Sequence, residues 1–333
     1  MSEPRGPEAR RFLGWDTAII ALTVAWLVVA SLSIENFGTS RNFTFLVLDL
    51  LPIAMVALPM TFIIVTGEID LSVASTLGLS SAVMGQMWTA GLSIETIIPL
   101  CILLGAILGA LNGFLVNGLG LPSLAVTIGT LALYRGLAFV VLGDSAVADF
   151  PENYTGWVVG TINGGAVPNV LILLVVLAVI FGVALHATPF GRSLYAIGAN
   201  AQAAHFSGIR VARTKFWLYV LSGAIAGLAG VLWTLRYSSA RADNGAGLEL
   251  AVVAAVLLGG VSIFGGKGTL PGVLAGVVLL AALQNALRLE DVSGQALNVV
   301  TGVLLVASVL LPNIITSVRG GRQRRKLRQT STA

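Results

Sequence analysis

The feature that most constrains this chain is its series of long apolar runs, separated by short breaks that are often glycine rather than charge. Ten runs are candidate membrane spans: 17–34, 45–66, 73–90, 96–116, 124–143, 168–187, 216–235, 248–264, 270–287 and 295–312. Each span needs about 20 apolar residues. From 60 to 143 the chain is apolar almost throughout, so some of it is expected to be broken or re-entrant helix. Charged residues are only 10% of the 333, where a soluble domain carries about 25%. With 56% hydrophobic residues and a mean hydropathy of +0.92, a soluble fold has too little charge to cover its surface. Disorder is excluded for the same reason. A disulfide scaffold is excluded because Cys101 is the only cysteine, and it lies in an apolar run as packing.

The sequence therefore predicts an all-α polytopic membrane protein of about ten transmembrane helices. Residues 1–16 form an N-terminal segment, 17–313 the transmembrane domain with a polar loop at 188–215, and 314–333 a basic tail. Arginines 5, 10 and 11 precede the first run as in a secretory signal, but the run is longer than an ordinary signal core and reads as a span.

Basic residues set the expected orientation. Arg5, Arg10, Arg11, Arg192, Arg210, Arg213, Lys215 and Lys267 fall on one side of a ten-span map, together with Arg319, Arg322, Arg324, Arg325, Lys326 and Arg328 of the tail. Arg41, Arg236, Arg241 and Arg288 fall on the other. The richer side is expected to be cytoplasmic, and with it both termini, in a bacterial plasma membrane. The tail reads as an anchor on anionic lipid, not as a nucleic-acid arm. The longest outer loop, with Asp144, Asp149 and Glu152, reads as an ordinary solvated connection.

A faint internal repeat runs through the chain. Gly109-Ala110-Leu111-Asn112-Gly113 is echoed by Ala281-Ala282-Leu283-Gln284-Asn285, and Val126-Thr127-Ile128-Gly129 by Val299-Val300-Thr301-Gly302. That step crosses five spans, and an odd number inverts the second copy. Gly105 with Gly109, Gly109 with Gly113, Gly223 with Gly227, and Gly272 with Gly276 are small-residue pairs that let helices approach closely in lipid.

Catalytic machinery is not legible. His186 and His205 lack nearby acids, and no metal-ligand or cofactor spacing occurs. Gly265-Gly266-Lys267-Gly268-Thr269 lacks the spaced first glycine and the Lys-Ser/Thr pair of a phosphate loop, and reads as a tight turn between spans. Ionisable residues at membrane depth are expensive, and so are candidates for function. Asp49 lies in the second run near Pro52. Glu68 and Asp70 sit in a break, where helix capping competes with a substrate or ion role. Arg135 is expected to pair with Asp49 or with an acid of that break, or to snorkel to the surface. Asp49, Glu68, Asp70, Asn112 and Gln284 are the candidates for a translocation path; Asn285 is a further polar residue that could line it or join helices.

The segment Thr188 to Ile209 is the longest polar connection between spans. Asn200 is a suitable N-cap for a short helix closed by Gly208. That helix either seats in a groove on a soluble partner or lies on the membrane surface.

Three motifs carry a resemblance to a known family over roughly residues 45–313. They are Gly67-Glu68-Ile69-Asp70-Leu71-Ser72-Val73-Ala74-Ser75, Gly198-x-Asn200-x-x-Ala203-Ala204-x-x-Ser207-Gly208-Ile209, and Gly259-Gly260-Val261-Ser262-Ile263-Phe264-Gly265-Gly266-Lys267-Gly268-Thr269. Together they resemble the permeases of bacterial ABC importers for monosaccharides, the ribose, xylose, arabinose and rhamnose group. The sequence departs from the family pattern at Glu68 and Ala74, where glycine is usual. The departure suggests a subgroup such as permeases for rhamnose or for the furanose-like signal autoinducer-2. The resemblance implies three partners: a cytoplasmic ABC ATPase subunit, an extracytoplasmic sugar-binding protein and a second permease subunit. It implies that Asn200, Ala203, Ala204, Gly208 and Ile209 contact the ATPase, and that the chain is a transport subunit, not an enzyme. The alternatives are an ion-coupled secondary transporter using Asp49, Glu68 and Asp70, and a channel.

Overall fold

A computed structural model describes residues 7–308 and 310. The termini beyond them, including the basic tail with Arg319 to Arg328, lie outside the described residues, as do Arg5 and the side chains of Arg10 and Arg11. The described chain is all-helical. Its elements are α1 (Pro7–Ser33), α2 (Ser40–Val65), α3 (Val73–Thr89), α4 (Ile94–Asn117), α5 (Ser123–Leu142), α6 (Glu152–Val159), α7 (Val170–Ala187), α8 (Pro189–Ala199), α9 (Ala201–Phe206), α10 (Val211–Tyr237), α11 (Leu248–Leu258), α12 (Leu270–Leu289) and α13 (Gly294–Ser308), with a short 3₁₀ turn at Ile162–Gly164.

Ten of these helices coincide with the ten apolar runs, and seven are long and apolar enough to cross a membrane. The chain is thus a multi-pass membrane protein. One run differs from expectation. The run at 248–264 is helical only as far as Leu258, about 16 Å of helix, and then turns back through left-handed glycines at 260 and 265. The run at 73–90 is met by α3, and the run at 295–312 by α13 as far as it is described. The break expected between 60 and 143 falls at Thr66–Ser72. There Gly67, at φ +80°, donates to the carbonyl of Ile64, and the N–H of Glu68 reaches Ile63. This is the left-handed glycine stop of a helix.

Hydrophobicity alone does not tell inside from outside. α2 and α7 are both strongly apolar, yet 94% of the most apolar stretch of α2 is buried against 22% for α7. α2 is the central helix, and α7 presents its side chains outward as a lipid-facing helix does. α2 and α10 run antiparallel. Arg236 near the end of α10 bonds the carbonyl of Leu48 near the start of α2, while Lys215 at the start of α10 pairs with Glu68 just past the end of α2.

The internal repeat is visible in this arrangement. α2 to α5 begin at Ser40, Val73, Ile94 and Ser123; α10 to α13 begin at Val211, Leu248, Leu270 and Gly294, each about 170 residues later. α10 packs on α2, α3 and α4, and α2 packs on α10, α11 and α12. The antiparallel relation of α2 and α10 makes the repeat inverted.

The bundle has two ends. One, the basic end, carries the 188–215 connection and the turn at 259–269. The far end carries Arg41, Arg236, Arg241 and Arg288, so the described basic residues divide as the sequence divides them. The far-end loop at 144–167 is not simply solvated. It holds α6, with Val158 and Phe150 buried and Phe150 against Trp88 at 5.9 Å, because these apolar side chains interrupt its acids.

Candidate functional site

The three motifs, far apart in sequence, meet at the basic end. The N–H of Gly266 donates to the carbonyl of Val65 at 2.8 Å, which fastens the 259–269 turn to the end of α2. Gly198 of α8 lies against both: a Cβ there would collide with the Val65 carbonyl and the Gly266 nitrogen. A Cβ on Gly265 would sit 2.8 Å from the nitrogen of Gly67 and 3.1 Å from Cα of Gly198. Gly265 and Gly266 also take φ of +81° and +73°, which other residues adopt only with strain. The Tyr195 hydroxyl donates to the carbonyl of Gly268 at 2.7 Å. Burial pushes that phenol up to about 12, so it stays a donor at working pH. The turn that resembled a phosphate loop is a packed corner. Its Thr269 caps α12 by accepting from the N–H of Gly272.

The 188–215 connection is more ordered than a loop with one short helix. Thr188 caps α8 by accepting from the N–H of Gly191, and α10 already begins at Val211. Asn200 caps α9 by accepting from the N–H of Ala203 at 2.9 Å, as its position suggested. Gly208 at φ +88° closes α9, with the N–H of Ile209 reaching the carbonyl of Ala204. Of the five residues proposed for partner contact, Ala203 is exposed, Ala204 is buried and Ile209 half-buried, while Asn200 and Gly208 shape the ends. Phe206 (80% exposed) and Phe264 (77% exposed) stand out from the basic end, and sequence reasoning passed over both. Polarity at such positions is the expected pattern, so two exposed phenylalanines are the signal.

Asp70 is 1% exposed and fully engaged. It accepts from the N–H of Ser72 (3.0 Å), the hydroxyl of Ser72 (2.6 Å) and the hydroxyl of Ser222 (3.2 Å). It therefore fixes Ser72, the residue that precedes α3, although no side chain caps the first N–H groups of that helix. Asn112 donates to the Ser72 hydroxyl at 2.7 Å, and Tyr134 bonds the carbonyl of Leu108 and the amide oxygen of Asn112. Glu68 pairs with Lys215 at 2.5 Å. Asp49 pairs at the far end with Arg236 and with Arg288. Gln284 donates to the hydroxyl of Thr301, and Asn285 exchanges two amide hydrogen bonds with Asn42.

The candidate acids are thus not brought together. Asp49 and the end of α2 at Val65 are about 24 Å apart along the helix. Asp49 is neutralised by Arg236 and Arg288, and Glu68 by Lys215. Arg135 pairs with neither Asp49 nor the break. Its guanidinium donates to the carbonyls of Ala242 (2.7 Å), Asn244 (2.8 Å) and Ala74 (3.3 Å), and so braces the loop before α11. Carbonyls left free by an irregular loop need donors, and a fork of N–H groups supplies them. Among the described residues no group of three His, Cys, Asp or Glu is placed to hold a metal ion. His186 accepts from the N–H of Leu270, a structural contact. An open cavity of about 590 Å³ lies at the basic end, bordered by Glu68, Lys215, Ser123, Gln202 and His205.

An inverted helical repeat with the three motifs gathered at one end is an arrangement that transport proteins use. The chain belongs to the family described as branched-chain amino acid transport system, permease component, whose model matches residues 42–309. It is 36% identical over 307 residues to the autoinducer 2 import system permease protein LsrD of Yersinia enterocolitica, covering 90% of this chain and 92% of the relative. It is 34% identical to the protein of the same name in Yersinia pseudotuberculosis and 33% to that of Yersinia pestis, each over 90% of this chain and 91% of the relative. No solved structure matches it.

Proposed function

We propose that this chain is the membrane subunit of an ABC importer. It passes a small sugar-like solute from a soluble binding protein to the cytoplasm and is driven by a separate ATPase that it contacts through α9. The observation that carries this reading is the meeting of the three motifs at the basic end, with α9 capped at both ends and exposing Ala203 and Phe206. A short, rigid helix with a projecting aromatic is suited to a groove on a partner. The excess of positive charge at that end supports a cytoplasmic orientation for it and for both termini. The chain has no ATP site of its own in this reading, since its one phosphate-loop-like segment is occupied with packing. Asn200 and Gly208 set the geometry of the contact helix, Ala204 and Ile209 seat it, and Ala203 and Phe206 meet the partner. A second permease subunit completes the path, which Asp49, Glu68, Asp70, Asn112 and Gln284 stabilise through helix contacts more than through direct solute contact.

For the solute we propose autoinducer-2, on the names of the relatives, in preference to a branched-chain amino acid, on the name of the family. The test co-expresses the chain with the ATPase and binding protein encoded beside it. The native chain is expected to retain the ATPase through mild detergent extraction, and Gly208→Arg to lose it, because arginine at φ +88° distorts the end of α9. A monodisperse native chain without the ATPase would overturn the reading. Uptake by the reconstituted complex of leucine, but not of autoinducer-2, would replace the solute and leave the permease role standing.

A further inference from the structure

We propose that Lys215 and Glu68 form a strut that carries movement of the α8–α9 segment into the break between α2 and α3. The proposal rests on the permease reading above and adds two positioning residues to it. One face of α10 holds three successive residues of the break. Lys215 pairs with Glu68 at 2.5 Å, the Tyr219 hydroxyl donates to the carbonyl of Ile69 at 3.4 Å, and the Ser222 hydroxyl donates to Asp70 at 3.2 Å. Positions 215, 219 and 222 are one turn apart and share that face. Asp70 in turn holds Ser72 at the start of α3. At the other end, α9 joins α10 through only the four residues 207–210, with the αL glycine at 208. A continuous path of contacts therefore runs from the exposed α9 through the first turns of α10 to the N-terminus of a buried helix.

The contacts along this path are not alike. Tyr219 and Ser222 are fully buried and packed. Lys215 and Glu68 border the open cavity of about 590 Å³, which Gln202 and His205 of α9 also line. The ion pair is thus the one contact of the three with free space beside it on the side of α9. Its side chains are only 12% and 19% exposed, so separating the charges gives up a close contact that water only partly replaces. The pair therefore moves as a unit, or breaks at a cost, when α9 is displaced. The departure from glycine at Glu68 acquires a physical reason, because a glycine there offers Lys215 no partner.

The test uses the full complex with its ATPase and binding protein in proteoliposomes, with autoinducer-2 uptake and ATP hydrolysis measured together. Glu68→Lys and Lys215→Glu are each expected to lower uptake per ATP hydrolysed by about tenfold while the ATPase still co-purifies. The exchange of both charges is expected to restore the ratio to within about twofold. A packing role alone lowers uptake and hydrolysis in equal proportion, and that result overturns the strut. So does an exchange variant that is monodisperse but unrestored. If the single reversals do not fold, Glu68→Gln keeps the shape without the charge, and an unchanged ratio there overturns the strut as well. A wild-type chain that retains no ATPase overturns the permease reading and the strut together. A wild-type chain that retains it, with unchanged ratios in the variants, overturns the strut alone.

Discussion

The inverted repeat makes two helix crossings equivalent, α4 on α10 and α12 on α2, and the molecule builds them by opposite means. In the first, backbone meets backbone. A Cβ on Gly105 would strike the carbonyl of Gly223, one on Gly109 the carbonyl of Tyr219, and one on Gly227 the carbonyl of Cys101. In the second, α12 turns its own glycines away. Gly272 and Gly276 face Ala255 of α11 and Gly259 just past its end, and the contact with α2 includes the paired amides of Asn42 and Asn285. In lipid, where apolar surface gains little by leaving one neighbour for another, close packing and polar contacts are the two available ways to hold helices. The same small-residue spacing in α4 and α12 thus states that a close approach exists, not which helix it meets.

The comparison can be broken most severely at the glycine crossing. Gly109→Leu forces α4 off α10 along most of its length and is expected to cost about 3 kcal/mol or more, since backbone cannot yield as a side chain does. It should remove the monodisperse peak in size-exclusion chromatography in detergent, and a wild-type melting midpoint would refute the backbone contact. A smaller loss is expected at the amide crossing. Asn285→Leu leaves Asn42 without its reciprocal partner and should cost about 1 kcal/mol. The double change Asn42→Leu with Asn285→Leu should cost less than the two singles added, as read from thermal unfolding of all four proteins. Additive costs would show that the two amides do not act as a pair. The smallest effect belongs to Tyr195→Phe, which deletes one hydrogen bond to Gly268 and should cost about 1 kcal/mol or less. Faster amide exchange in the 259–269 turn, with an unchanged midpoint, is the expected signature; protection equal to wild type would mean that the glycine contacts alone hold the corner.

Much of this was legible beforehand. The apolar runs gave the helices, because a segment in lipid must satisfy its backbone internally. The division of basic residues, the inversion of the repeat and the caps Asn200 and Gly208 are local or periodic properties, and each is present in the fold. Less was legible about partners. Asp49, in the second run, gave no sign that Arg236 and Arg288, nearly two hundred residues on or more, would neutralise it. Arg135 offered acids as its natural partners and took carbonyls instead, because the loop before α11 left them free. Lys215 looked like one more basic residue of a polar connection, although it is the partner of Glu68.

The sequence by itself determined that this is a membrane protein, where its helices lie, which end is basic and which segments carry its family signature. Those properties depend on hydrophobicity, length, charge and local hydrogen bonding, all written within a few tens of residues. Only the tertiary structure decided that the three motifs meet at one corner, that α2 is central while the still more apolar α7 is peripheral, and that the acids each have separate partners. Those outcomes depend on which surfaces fit at van der Waals distance, and neither apolar content nor charge, read along the chain, specifies that fit.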